Sequence, residues 1–80
     1  MLPIKKYSEI FKTALNVDAN KVNENLEYNE IDEWDSIAHM TLMAAIEEEY
    51  KISLETDDIV DFGSFKKGIE ILKKYNIKIS

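Results

Sequence analysis

The chain has 80 residues, of which 45% are hydrophobic, with no cysteine, one histidine, two glycines and one proline. That composition supports one modest core and excludes a disulfide framework, a thiolate metal site and a cysteine nucleophile, while so few turn residues argue against an all-β fold. Ten Lys face 16 carboxylates for a net charge of −6, the wrong sign for binding nucleic acid and a suitable one for docking on a basic protein surface.

Taken in chain order, the first periodic stretch runs from Ile4 to Leu15. Ile4, Tyr7, Phe11 and Leu15 recur on one helical face, with Ile10 and Ala14 beside them. Pro3 suits the first turn, where a missing N–H costs nothing. Asn16 and Asp18 are weak stop signals. From Asn16 to Asp35 the period fades into a long loop, a length uncommon in compact domains unless the loop has a function. Its scattered Val17, Val22, Leu26, Tyr28 and Ile31 are expected to pin it across the core.

The strongest helix is predicted from Ser36 to about Tyr50, with Ser36 as its N-cap. Ile37, Met40, Met43, Ile46 and Tyr50 form its apolar stripe, widened by Leu42, Ala44 and Ala45, and both methionines are assigned to the core, with the lining of a pliable groove as the alternative. Glu47, Glu48 and Glu49 end this helix with the wrong sign for the C-terminal dipole. Thr56 reads as the cap of a short helix from about Asp57 to Asp61. Gly63 and Ser64 break it and cap a last helix, whose face is Phe65, Ile69 and Leu72 with Ile71 or Tyr75. Gly68 inside that helix costs up to ~1 kcal/mol relative to Ala. Lys73, Lys74 and Lys78 suit its C-terminal end. The expected fold is all-α: a small four-helix bundle of three principal helices and one short third helix, with a long loop after the first.

The charge is unevenly spread. Residues 23–61 hold 13 carboxylates and one Lys, or −12, and the remainder holds 3 carboxylates and 9 Lys, or +6. Within the acidic block, Asp35 and Glu47 to Glu49 join Asp57, Asp58 and Asp61 as a candidate docking face. An EF-hand is excluded, because no Gly and Glu fall in register after any of these acids; no metal site is expected.

Ser36 admits three readings. It is a helix cap, or a modification site whose attached phosphodiester is supported by the unpaired N–H groups and positive dipole of a helix start, or a nucleophile with His39 as base. The last lacks a second His and a Gly-x-Ser-x-Gly elbow, since Trp34 and Ala38 hold the glycine positions. His39 then reads as a surface or groove residue beside Ser36.

Asp35, Ser36 and Ile37 match the Asp-Ser-Leu motif of the phosphopantetheine-binding carriers, with Ile for Leu. The run from Ala45 to Tyr50 resembles that family's second-helix ending, Ala-Leu-Glu-Glu-Glu-Phe. Ile52, Ser53 and Leu54 resemble the segment leading to its short third helix, where Asp57, Asp58 and Asp61 fall, and Ser64 and Phe65 sit where the last helix starts. The chain thus resembles an acyl carrier protein over nearly its whole length. The resemblance implies one carrier domain over residues 1–80 that is not an enzyme. Ser36 would bear 4′-phosphopantetheine, taken from coenzyme A by a separate phosphopantetheinyl transferase, and the arm would hold acyl or aminoacyl groups as thioesters. Asp35, Ile37, Thr41, Ala44, Glu47, Glu48, Asp57 and Asp61 would face the transferase and the acyl-activating or acyl-transferring partner enzymes.

The chain departs from the fatty-acid-synthesis type at Trp34, Ala38 and Thr41, which points to a specialised lipid, natural-product or surface-polysaccharide pathway. No signal-peptide run or membrane span is visible, so a cytoplasmic monomer is expected. The competing reading from another class is a non-carrier acidic helical adaptor that binds a basic protein partner.

Overall fold

A computed structural model of the chain describes residues 2–79. Helix α1 spans Pro3–Leu15, with Pro3 in its first turn, and ends at Asn16 in the left-handed conformation, φ 57°, which asparagine tolerates well. A 3-10 turn, Ala19–Lys21, interrupts the loop that follows. Helix α2 spans Ser36–Tyr50 and closes on Lys51, also left-handed. Helix α3 spans Thr56–Asp61 and α4 Phe65–Lys73. This is the expected four-helix order.

The start of α3 differs from expectation. Thr56 lies inside α3 and does not cap it; the N-cap position is Glu55, which makes no side-chain cap bond. At α4 the prediction holds, since the Ser64 hydroxyl accepts the Lys67 N–H at 2.9 Å.

The long loop is tied down as its scattered apolar residues imply. Val17 and Leu26 are buried, Val22 and Ile31 are half-buried, and Tyr28 is 40% exposed. Backbone bonds from Phe65 N–H to Leu26 O and from Tyr28 N–H to Gly63 O, each 2.9 Å, form a single antiparallel bridge across the α3–α4 junction. The loop therefore returns to the head of α2 along a fixed path.

The core is aromatic. Tyr7, Phe11, Trp34, Phe62 and Phe65 pack with ring centroids 4.7–6.2 Å apart, and Leu42, Ile46 and Leu72 complete it with no exposed surface. Helix α1 packs chiefly on α2. The α2 stripe is not the predicted one: Leu42, Met43 and Ile46 are buried, whereas Ile37 is 79% and Met40 55% exposed. At 3.6 residues per turn, His39, Leu42, Met43, Ile46 and Tyr50 share one side of α2, and Ile37, Met40, Thr41, Ala44 and Glu48 the other. The fully buried Trp34 fills the core at the first turn of α2, leaving no place there for Ile37 or Met40.

Gly68 is not merely tolerated in α4. A Cβ at this position would overlap the Tyr7 hydroxyl and the edge of the Phe62 ring. That hydroxyl is fixed by its bond to Phe65 O, 2.8 Å, so the close approach of α1, α3 and α4 requires glycine. The buried face of α4 is accordingly Phe65, Gly68, Ile71 and Leu72, with Ile69 only half-buried.

Candidate functional site

The head of α2 is built by Asp35. Its extended backbone makes it the N-cap, and its Oδ1 accepts the Ala38 N–H at 2.8 Å. Ser36 is thus the first residue of the helix, and the N-cap that the sequence assigns to it belongs to Asp35. The reason is a contest between neighbours: Asp and Ser cap about equally well, and here the loop delivers Asp35 to the cap position. The Ser36 hydroxyl is relieved of capping and is exposed, beside first-turn N–H groups that favour an anion.

Ser36 opens onto a groove of about 410 Å³ lined also by Tyr28, His39, Met40, Ile59, Val60 and Phe62. Its wall is mostly apolar, and Val60 stands 76% exposed at its rim. His39 does line this groove, yet it is held by two bonds. Its Nδ1 accepts the Trp34 indole N–H at 3.0 Å, and its Nε2 lies 2.8 Å from Ile59 O. These partners specify the neutral tautomer with the proton on Nε2. Both ring nitrogens are engaged away from Ser36, so the serine has no base in His39. Sequence reasoning missed the pairing of Trp34 with His39. The available signal was the demand of a buried indole N–H for an acceptor.

The remaining predicted residues divide. Ile37, Thr41, Ala44 and Glu48 are exposed on the outward side of α2, and Asp57 and Asp61 are exposed on α3. Thr41 and Glu48 border a second groove of about 530 Å³ against α1, shared with Lys6, Glu9 and Thr13. Glu47 is half-buried, and its carboxylate accepts the Leu54 N–H at 2.7 Å. The acidic end of α2 therefore staples the α2–α3 connection, which offsets its unfavourable dipole position.

Asp58 leaves the acidic face altogether. It is 4% exposed, and its carboxylate accepts from Lys74 Nζ and Tyr75 Oη, both at 2.5 Å. The bonds from Lys74 and then Tyr75 hold its carboxyl below the usual carboxylate range, and Asp58 in return raises Lys74 and Tyr75. Tyr75 Oη also accepts the Glu55 N–H at 3.0 Å, so this network joins the N-cap and the middle of α3 to the C-terminal segment. Two further acids of the block are paired: Glu33 with Lys21 at 2.9 Å, which lowers the Glu33 carboxyl, and Glu49 with Lys6 at 3.5 Å.

An exposed primary hydroxyl at a helix N-terminus, free of capping and next to an apolar groove, fits a phosphodiester-linked arm. The phosphate would meet the helix N–H groups, and the arm would find an apolar wall. Among the described residues no group of three or more His, Cys, Asp or Glu side chains is placed to hold a metal ion, and no helix is long and apolar enough to cross a membrane.

A family model described as the phosphopantetheine attachment site matches residues 8–67, a span that contains the long loop, α2 and α3 entire. No curated protein matches the chain. Domains of this family carry covalently attached 4′-phosphopantetheine and act as carriers, not as enzymes. With three quarters of its length matched and the expected helix order in place, the chain belongs to the phosphopantetheine-binding carrier family.

Proposed function

We propose that Ser36 is the residue that bears 4′-phosphopantetheine and that residues 1–80 form one discrete carrier domain. The observation that carries this reading is the division of labour at α2: Asp35 takes the cap and Ser36 keeps an exposed hydroxyl at the mouth of a groove. During loading, Ser36 Oγ attacks the β-phosphorus of coenzyme A and gives its proton to a base on the transferase. The new Oγ–P bond replaces the pyrophosphate P–O bond, and adenosine 3′,5′-bisphosphate leaves. Once in place, the arm supplies the thiol that a chain without cysteine lacks, for acyl or aminoacyl thioesters. The α2 first turn steadies the attached phosphate through its N–H groups and dipole.

The docking surface for the transferase and for acyl-activating or acyl-transferring enzymes comprises Asp35, Ile37, Thr41, Ala44, Glu47 and Glu48 of α2 and its cap, with Asp57 and Asp61 of α3. The exposed Ile37 and Met40 support it as an apolar centre within an acidic surround. The domain works as a cytoplasmic monomer in a specialised lipid, natural-product or surface-polysaccharide pathway; Trp34, Ala38 and Thr41 motivate that choice. Intact mass after incubation with coenzyme A and a promiscuous phosphopantetheinyl transferase tests the assignment. One phosphopantetheinyl adduct is expected, absent in Ser36→Ala. An unmodified wild-type chain, or an adduct that persists in Ser36→Ala, defeats it and favours the acidic adaptor.

A further inference from the structure

We infer that Trp34 and His39 latch the core shut beneath the Ser36 groove, so that cargo stays in the surface groove and the domain serves short or polar acyl and aminoacyl groups, not long hydrocarbon chains. The inference rests on Ser36 as the attachment residue. His39 ties three elements at one point: the loop through the Trp34 indole, α2 through its own backbone, and α3 through the Ile59 carbonyl. Rings close around it, with Trp34 stacked on it at a centroid separation of 6.0 Å and Tyr28 and Phe62 in T-shaped contact at centroid separations of 5.3 and 6.3 Å.

Behind this latch the interior is full. Trp34, Phe11, Phe62, Leu42 and Ile46 have essentially no exposed surface, and at Gly68 there is not space for one methyl group. A chain entering between α2 and α3 has to part His39 from Ile59, stranding the Ile59 carbonyl and the His39 Nε2–H without partners, and then displace close-packed rings. The groove outside offers Met40, Ile59 and Val60 as an apolar wall, which suits the arm and the first carbons of its cargo. The rest of a long chain would remain in water, where its apolar surface is unfavourable.

The test loads Ser36 with acetyl- and octanoyl-phosphopantetheine from the corresponding coenzyme A thioesters and records the Trp34 indole N–H and the methyl resonances of Met40, Leu42, Ile46, Ile59 and Val60. Thioester hydrolysis is timed in parallel. The expected result is that octanoyl loading shifts Met40, Ile59 and Val60, leaves Trp34, Leu42 and Ile46 in place, and hydrolyses at the same rate as acetyl. Movement of the indole and the Ile46 methyl, with slower hydrolysis of octanoyl, overturns the latch. In His39→Ala the octanoyl chain is expected to reach the core and shift Ile46, and His39→Gln, with an amide acceptor and donor, to restore the wild-type pattern. A folded His39→Ala that loads like wild type also overturns the latch, and if His39→Ala does not fold the wild-type comparison decides. Failure to form any adduct is a separate outcome, which removes Ser36 as the attachment residue and the inference with it.

Discussion

The N-termini of α2 and α4 each carry a serine, and the two serines differ by one residue in register. Ser64 occupies the cap position of α4, where its hydroxyl is spent on the Lys67 N–H. Its surroundings are packed: Phe65 follows it into the core, Gly68 lies under Tyr7 and Phe62, and a backbone bond from Phe65 to Leu26 locks the turn. Ser36 stands one residue further on in α2, because Asp35 has the cap. Its hydroxyl faces solvent, and its neighbour Ile37 is almost wholly exposed. A shift of one position separates a serine that holds a helix from a serine whose side chain is open to solvent.

The contrast is broken most directly by exchanging the two roles. Ser36→Ala is expected to abolish phosphopantetheinylation outright, whereas Ser64→Ala keeps it, as intact mass will show. In stability the order reverses. Filling the packed side with Gly68→Ala is expected to cost about 1–3 kcal/mol by overpacking, read from denaturant midpoints. Removing either cap, by Ser64→Ala or Asp35→Ala, is expected to cost ~1 kcal/mol. Ser36→Ala and Ile37→Ala are expected to stay within about 0.5 kcal/mol of wild type, since neither side chain supports the fold. Ser36→Ala as costly as Ser64→Ala would place the cap on the wrong residue.

The acids of the block divide in the same way, into those used by the fold and those facing solvent. Asp58 belongs to the first kind. Its carboxyl is lowered in the folded chain by Lys74 and Tyr75, so its stabilisation is fully present above the unfolded carboxylate value of about 3.9 and is lost as pH falls through the folded value. The stability gap between wild type and Asp58→Asn should therefore be open at neutral pH and close in acid below that range. Glu48 belongs to the second kind, and Glu47 to both. Glu47→Lys with Glu48→Lys is expected to weaken transferase binding, more at low salt than at high. Glu48→Lys alone should leave the melting temperature unchanged, while Glu47→Lys also loses the bond to Leu54 N–H.

The regular parts of this fold are written locally, and so they were legible. Pro3, the Tyr7 and Phe11 spacing, Asn16, and Ser64 with Phe65 mark the first and last helices by signals within a turn or two of the residues they govern. The span of α2 is legible but its buried face is not, because it carries apolar residues on every side, and spacing alone cannot choose among them. Whether Met40 or Leu42 is buried depends on Trp34 arriving from the loop, and on α1 packing behind. Asp58 reads in sequence like its exposed neighbour Asp57; only the fold brings Lys74 and Tyr75 to it across 16 and 17 residues. Gly68 reads as a defect in a helix until Tyr7 and Phe62 are seen to need its space.

Helix order, loop length, the acidity of the central block and the Asp35, Ser36, Ile37 motif were all readable along the chain. These are matters of composition, period and neighbouring residues, which the chain carries before it folds. Packing settles which acidic side chains are neutralised, which face of α2 meets water, and that His39 joins Trp34 to Ile59 beside Ser36. Those outcomes depend on burial and on hydrogen bonds between residues far apart in the chain, which exist only once the helices have packed.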